Sequence, residues 1–147
     1  MLYNFIMDIT FKTCDFLPEE AKKIRTDVFV FEQGFIDEFD ENDDKSIHVL
    51  MFLNSKAIGT CRIIYSETHQ LLTIGRVAIL KEYRGKHFGK LLMEEAEKII
   101  IGRYGHISIG VGAQERVEGF YQSLGFVSTN EKYLEQDCPH IWMIKEL

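Results

Sequence analysis

Cysteine is scarce in this chain: Cys14, Cys61 and Cys138 are three among 147 residues, odd in number and far apart. That usage excludes a disulfide framework and suggests free thiols in a reducing cytoplasm. No two of them have zinc-ligand spacing beside a histidine pair, so no metal is expected. No run of eighteen apolar residues exists, which excludes a helical membrane span. The first residues, Met1 to Asp8, lack the basic region and cleavage site of a signal peptide. Repeats, low-complexity tracts and linkers are missing too. Residues 1–147 therefore read as one domain, cytoplasmic, without a membrane partner, and long enough for a sizeable core.

What is present is ordinary in bulk, with 46% hydrophobic and 27% charged residues. The charge is informative once located. Asp37, Glu38, Asp40, Glu41, Asp43 and Asp44 carry six negative charges, and the net charge of the whole chain is −6, so the remainder is neutral. This argues against a nucleic-acid partner. A single acidic segment on a neutral body reads either as an attractor for a cationic small molecule or as a solvated loop. Its Asp40, Asn42 and Asp44 alternate like calcium ligands, but Lys45 stands where the calcium loop needs glycine and Met51 where it needs its glutamate.

Along the chain, Phe5 to Lys12 alternates as a first strand with Ile9 and Phe11 on one face. Pro18, Glu19 and Glu20 suit a helix start, and Leu17, Ala21, Ile24, Val28 and Phe31 mark its apolar face, with Gly34 as the stop. Two strands, 47–53 and 57–65, flank a turn at Asn54–Lys56, and 72–80 is a third strand of the same meander. A helix from Gly89 to about Gly102 separates it from a strand at 106–111, which the intervening helix makes parallel. A short helix over 115–124 and strands at 126–127 and 141–144 complete an α/β fold with a mixed sheet.

The stretch Tyr83 to Leu92, YRGKHFGKLL, sits between the strand at 72–80 and the following helix. Unpaired N–H groups of a helix N-terminus, the macrodipole, Arg84 and Lys86 all favour a bound anion, most plainly a phosphate. It is not a Walker loop. Gly85 and Gly89 have three residues between them where four are needed, and Leu91 follows Lys90 where a hydroxyl is needed. G-x-G-x-x-G and its N-terminal βαβ unit are absent as well. The plain alternative is that Gly85 and Gly89 serve only a tight turn and close helix packing.

The order of elements and three local sequences together resemble the GNAT (GCN5-related) N-acetyltransferase superfamily. RVAI followed by YRGKHFG is similar to the family's coenzyme A motif, Phe120 to Phe126 (FYQSLGF) looks like its FYxxLGF helix, and Gln114 stands where the family often has asparagine. Arg25 to Gln33, the acidic segment and Pro139 to Met143 (PHIWM) are similar to ElaA/YjcF-like members. The resemblance implies a largely antiparallel central sheet with flanking helices and a splayed parallel strand pair at the coenzyme site. His87 departs from the motif, standing where its first glycine usually lies. A helical φ there would keep its N–H available, and lowered coenzyme affinity is expected.

The resemblance also implies roles. Acetyl-CoA would be the cosubstrate, with the acetyl group passing directly to a primary amine of a small molecule, in a ternary complex. Val77, Ala78 and Ile79 would meet the pantetheine arm, and Arg84, Gly85, Lys86, His87, Phe88, Gly89 and Lys90 the pyrophosphate. Gln114 would reach the pantetheine or acetyl region, and Tyr121 would lie against the coenzyme as general acid. The base that deprotonates the amine is sought among Glu32, Glu38, Glu82 and His140, with His140 and Glu32 carried forward. His48, His69 and His106 offer nothing to recommend them. A non-catalytic acyl-CoA-binding module on the same fold is the alternative reading. Exposed sheet edges leave a homodimer open.

Overall fold

The computed structural model describes residues 7–147. The start of the expected first strand lies outside them, and the strand observed, β1, spans Ile9–Cys14. It pairs antiparallel with β2 (Ile47–Leu53), β2 with β3 (Lys56–Ser66), and β3 with β4 (Leu71–Ile79). Asn54 and Ser55 both take positive φ, the geometry that lets a two-residue turn match the twist of β2 and β3. Helix α2 (Phe88–Tyr104) then crosses to β5 (Ser108–Gln114), which is parallel to β4 as expected. After α3 (Glu118–Ser123), a hairpin of β6 (Val127–Glu135) and β7 (Cys138–Glu146) inserts β7 beside β5. The sheet order is β1-β2-β3-β4-β5-β7-β6.

Two expectations need correction. The last two strands are nine residues each, far longer than the patches at 126–127 and 141–144. The polar run Ser128 to Lys132 hid β6, which is an edge strand and can face water. The first helix, α1 (Glu19–Arg25), continues as a π-helix over Thr26–Glu32. Its wider i→i+5 turn rotates the apolar face by a residue. Phe29 is therefore buried in place of Phe31, which is 76% exposed.

The sheet has a core on each face. On one, Leu92, Met93, Ala96 and Ile100 of α2 pack against Ile74, Ile109, Val111 and Met143. On the other, Ala21, Ile24, Val28 and Phe29 pack against Leu50 and Ala78. Each large side chain so buried contributes about 1.5–3 kcal/mol, enough to fix both helices on the sheet.

The feature that shapes the site is where pairing stops. β4 and β5 share only the partners Leu72↔Ile109 and Thr73↔Gly110. Beyond them, β4 carries a bulge with Arg76 at φ 50, a left-handed position costly for a side chain. The strands separate there, leaving backbone groups of β4 without a β5 partner.

Candidate active site

The gap between β4 and β5 opens into a cleft of about 1070 Å³. Val77, Ala78, Ile79, Arg84, Gln114, Tyr121 and His140 all line it, whereas Glu32 and residues 85–90 of the glycine loop do not. Tyr121 comes from α3, is 8% exposed, and packs edge-on between Phe120 and Phe126. Burial pushes its phenol well above the usual tyrosine range, so it stays protonated. Tyr121 thus belongs both to the core beneath α2 and to the wall of the cleft.

His140 stands opposite Gln114 in the β5–β7 ladder. Its Nδ1 lies 2.8 Å from the carbonyl of Cys138. A carbonyl only accepts, so Nδ1 carries the proton and Nε2 presents a lone pair in the neutral ring. Gln114 is held at both ends, donating to Gln33 Oε1 and accepting from Arg116 Nε, each at 2.8 Å.

The glycine loop lies beside the cleft. Gly85 has φ 77, and a Cβ there would meet nothing within 4 Å. His87 has φ 66 and ψ 14, so the right-handed helical φ expected of it is not what the chain adopts. It occupies the left-handed conformation that glycine takes without cost. Gly89 has a packing reason: a Cβ would fall 3.2 Å from the Phe120 ring. The first turn of α2 has no acidic residue and no side-chain cap, so its N–H groups face outward unopposed. With Lys86 and Lys90 beside it, this end of a 17-residue helix fits a phosphate-bearing group.

Arg84 is committed in part. It donates through Nη1 and Nη2 to both oxygens of Glu32 at 2.8 Å, and through Nε to the carbonyl of Ile79 at 2.9 Å. The Arg84 hydrogen bond holds Glu32 below the usual carboxylate range, which makes Glu32 a poor proton acceptor. Glu82 is exposed and does not line the cleft. Among the described residues, no group of three or more histidine, cysteine or acidic side chains is arranged to hold a metal. No helix among them is long and apolar enough to cross a membrane.

Two carboxylates of the acidic segment, Glu38 and Asp43, fold inward, while Asp37, Asp40, Glu41 and Asp44 stay exposed. Arg25 is 1% exposed and donates to Glu38 Oε2 and Asp43 Oδ1, each at 2.7 Å. Arg62 reaches Asp43 at 2.9 Å and Asp40 at 3.2 Å. Arg76 Nε lies 3.0 Å from Glu38 Oε1, in an orientation that makes no hydrogen bond. Burial raises Asp43, but the hydrogen bonds and charges of Arg25 and Arg62 outweigh it and hold the group low. For Glu38, burial wins and pushes the carboxyl up, yet both its oxygens face arginines, which leaves it badly placed to receive a proton from a ligand.

His69, Tyr133, Glu135 and Trp142 line the cleft, and sequence did not single them out as site residues. Gly110 and Gly112 lie on the same face of β5, and a Cβ at either would collide with the Trp142 indole or the Tyr133 hydroxyl. Those two rings therefore lie directly on the strand. His69, which sequence gave no reason to single out, stacks on Trp142 with ring centroids 3.7 Å apart and bonds Glu131. Tyr133 stacks on His140 at 5.3 Å, and burial pushes its phenol up to about 12. Glu135 completes the set, 3.6 Å from His140 Nε2. The alternating glycines of β5 were the available signal, since period-two glycines leave room for rings on one face.

Residues 16–147 match the family described as acetyltransferase (GNAT) domain. YyaT of Bacillus subtilis is 36% identical over 134 residues, covering 87% of this chain and 88% of that protein. ElaA of Escherichia coli is 31% identical over 129 residues, 85% of this chain and 84% of ElaA. The crystal structure of Escherichia coli ElaA superposes with a TM-score of 0.82 at 28% identity, covering 96% of this chain and all (100%) of that one. An acyl-CoA N-acyltransferase from Pseudomonas aeruginosa gives a TM-score of 0.81 at 29% identity, with 95% and 99% covered.

Proposed function

The chain belongs to the GNAT acetyltransferase family, and from that premise we propose that it transfers an acetyl group from acetyl-CoA directly to a primary amine of a small molecule. The observation that carries this reading is the convergence of Tyr121, Gln114 and His140 on the gap between β4 and β5, with the uncapped N-terminus of α2 beside it.

Acetyl-CoA supplies an activated acetyl group as a thioester. The outward N–H groups at Phe88, Gly89 and Lys90, together with Lys86, hold its pyrophosphate, and the free backbone edge of β4 around Val77 and Ala78 aligns the arm that bears the thioester. An alkyl ammonium, with a pKa near about 10.4, must lose a proton before its nitrogen can attack. His140 Nε2 accepts that proton, because Nδ1 is already fixed as the donor to Cys138. The new carbon–nitrogen bond forms as the carbon–sulfur bond breaks, and Tyr121 donates its phenolic proton to the leaving sulfur. A thiol titrates near about 8.5, below even an ordinary tyrosine, so this donation is uphill on its own. The second proton of the attacking nitrogen restores the phenol and draws the step forward. Gln114, held by Gln33 and Arg116, keeps this end of the cleft in register.

Thiol release from acetyl-CoA with a panel of primary amines tests the reading. Amine-dependent release is expected, and Tyr121→Phe should cut kcat about a hundredfold with coenzyme affinity kept. No amine-dependent release, with coenzyme A still bound, would leave a non-catalytic acyl-CoA module instead.

A further inference from the structure

We propose that Glu135, at the end of β6, anchors the ammonium group of a cationic acceptor in the cleft. The inference rests on the acetyl-transfer reading for its setting and on charge bookkeeping for its content. The cluster beneath the acidic segment, buried at Arg25, Glu38 and Asp43 and open at Asp40 and Glu135, holds three guanidinium groups, Arg25, Arg62 and Arg76, against four carboxylates, Glu38, Asp40, Asp43 and Glu135. Arginine hydrogen bonds satisfy Glu38, Asp40 and Asp43. Glu135 accepts none among the described residues. It stands 3.8 Å from Arg76 Nη1 and 3.6 Å from His140 Nε2, beyond hydrogen-bond reach of both. One negative charge is left over, and it sits where the cleft begins.

The surroundings fit a cation such as an ammonium rather than an anion. Tyr133 and His140 form a flat wall of stacked rings next to the carboxylate, and a cation near such faces gains further attraction. The Glu135 side chain is 43% exposed, so a ligand can reach it. Lys45 and Arg116 also line the cleft, and they make Glu135 a local anchor rather than part of a uniformly negative wall. A carboxylate here holds the amine nitrogen within reach of His140 Nε2, the atom that takes its proton. The acidic segment's contribution is thus indirect: Glu38, Asp40 and Asp43 face Arg25, Arg62 and Arg76, while Asp37, Glu41 and Asp44 are exposed and do not line the cleft, which leaves Glu135 as the carboxylate of this cluster without a hydrogen bond among the described residues.

Trp142 is the chain's single tryptophan and lines the same cleft, so its fluorescence reports amine binding without turnover. Butylamine and 1,4-diaminobutane, with butanol as the uncharged control, should give saturable changes for the amines only. Glu135→Gln should weaken the amine response about tenfold, as loss of one partly exposed charge pair does, and raise the amine KM alike with less effect on kcat. Glu135→Asp should recover part of it, and the thermal midpoint should hold because the side chain makes no hydrogen bond. Equal responses in Glu135→Gln and the parent, a response to butanol matching that to butylamine, or no response to any amine would each overturn the anchor. Amine binding that needs Glu135 without any acetyl transfer would instead overturn the transferase reading and keep the anchor.

Discussion

Arg84 grips both carboxylate oxygens of Glu32 at 2.8 Å, joining the glycine loop to the end of the π-helical segment. The pair is partly exposed, and such a pair contributes about 1 kcal/mol or less to stability. Its effect is on position and charge: it fixes the guanidinium and cancels a positive charge near the α2 N-terminus.

Glu32→Gln therefore separates two roles. With His140 as the base, kcat stays within about threefold, and the freed Arg84 charge tightens coenzyme A binding more at low salt than at high salt. A loss in kcat of about a hundredfold would make Glu32 the proton acceptor. Steady-state kinetics at two ionic strengths decide between them.

His87 holds a left-handed conformation that costs a side chain roughly 1–2 kcal/mol and glycine almost nothing. His87→Gly should raise the urea midpoint by an amount equivalent to about 1 kcal/mol and leave coenzyme A affinity equal or better. The residue is exposed, so no lost packing opposes the gain. Weaker coenzyme binding in this variant would show that the imidazole itself contacts the pyrophosphate.

Gly110 leaves space for Trp142 on β5, and Trp142 in turn supports His69. Gly110→Ala should destabilise by about 1–3 kcal/mol, since a rigid ring on a strand cannot give way as a flexible side chain would. Displacing the indole also exposes it, so its emission should shift to the red. An unchanged spectrum would mean that the strand moves instead of the ring.

The meander β2 to β4, the helix α2 after its glycine turn and the parallel β5 were legible in sequence because periodicity and turn residues are local signals. What was not legible depended on pairing across the sheet. Ser128 to Lys132 is too polar to announce a strand, and only the register with β7 reveals it. His69 gains meaning from Trp142, 73 positions away, and Glu135 from a charge count that needs Arg25, Arg62 and Arg76 in place. The acidic segment misled for the same reason: its partners lie on other elements.

His48 gives the fold a pH dependence that can be read in advance. The ring is buried, with Nε2 2.8 Å from the carbonyl of Asp43, and burial holds its pKa below the ordinary value of 6.5. As the pH falls through 6.5 the unfolded chain takes up a proton that the folded chain refuses. Stability is therefore complete above that value and declines below it, levelling only once the folded ring also titrates. The steepest slope for one such group is about 1.4 kcal/mol per pH unit, or roughly 3–5 °C of thermal midpoint in a chain of this size. Asp43, held low by Arg25 and Arg62, adds a second loss beneath its own ordinary value of 3.8. Thermal melts from pH 8 to pH 5 should be flat at first and fall below about pH 6.5. His48→Gln, which keeps an N–H for the Asp43 carbonyl but cannot titrate, should flatten that fall. An equal decline in both proteins would assign the dependence to another group.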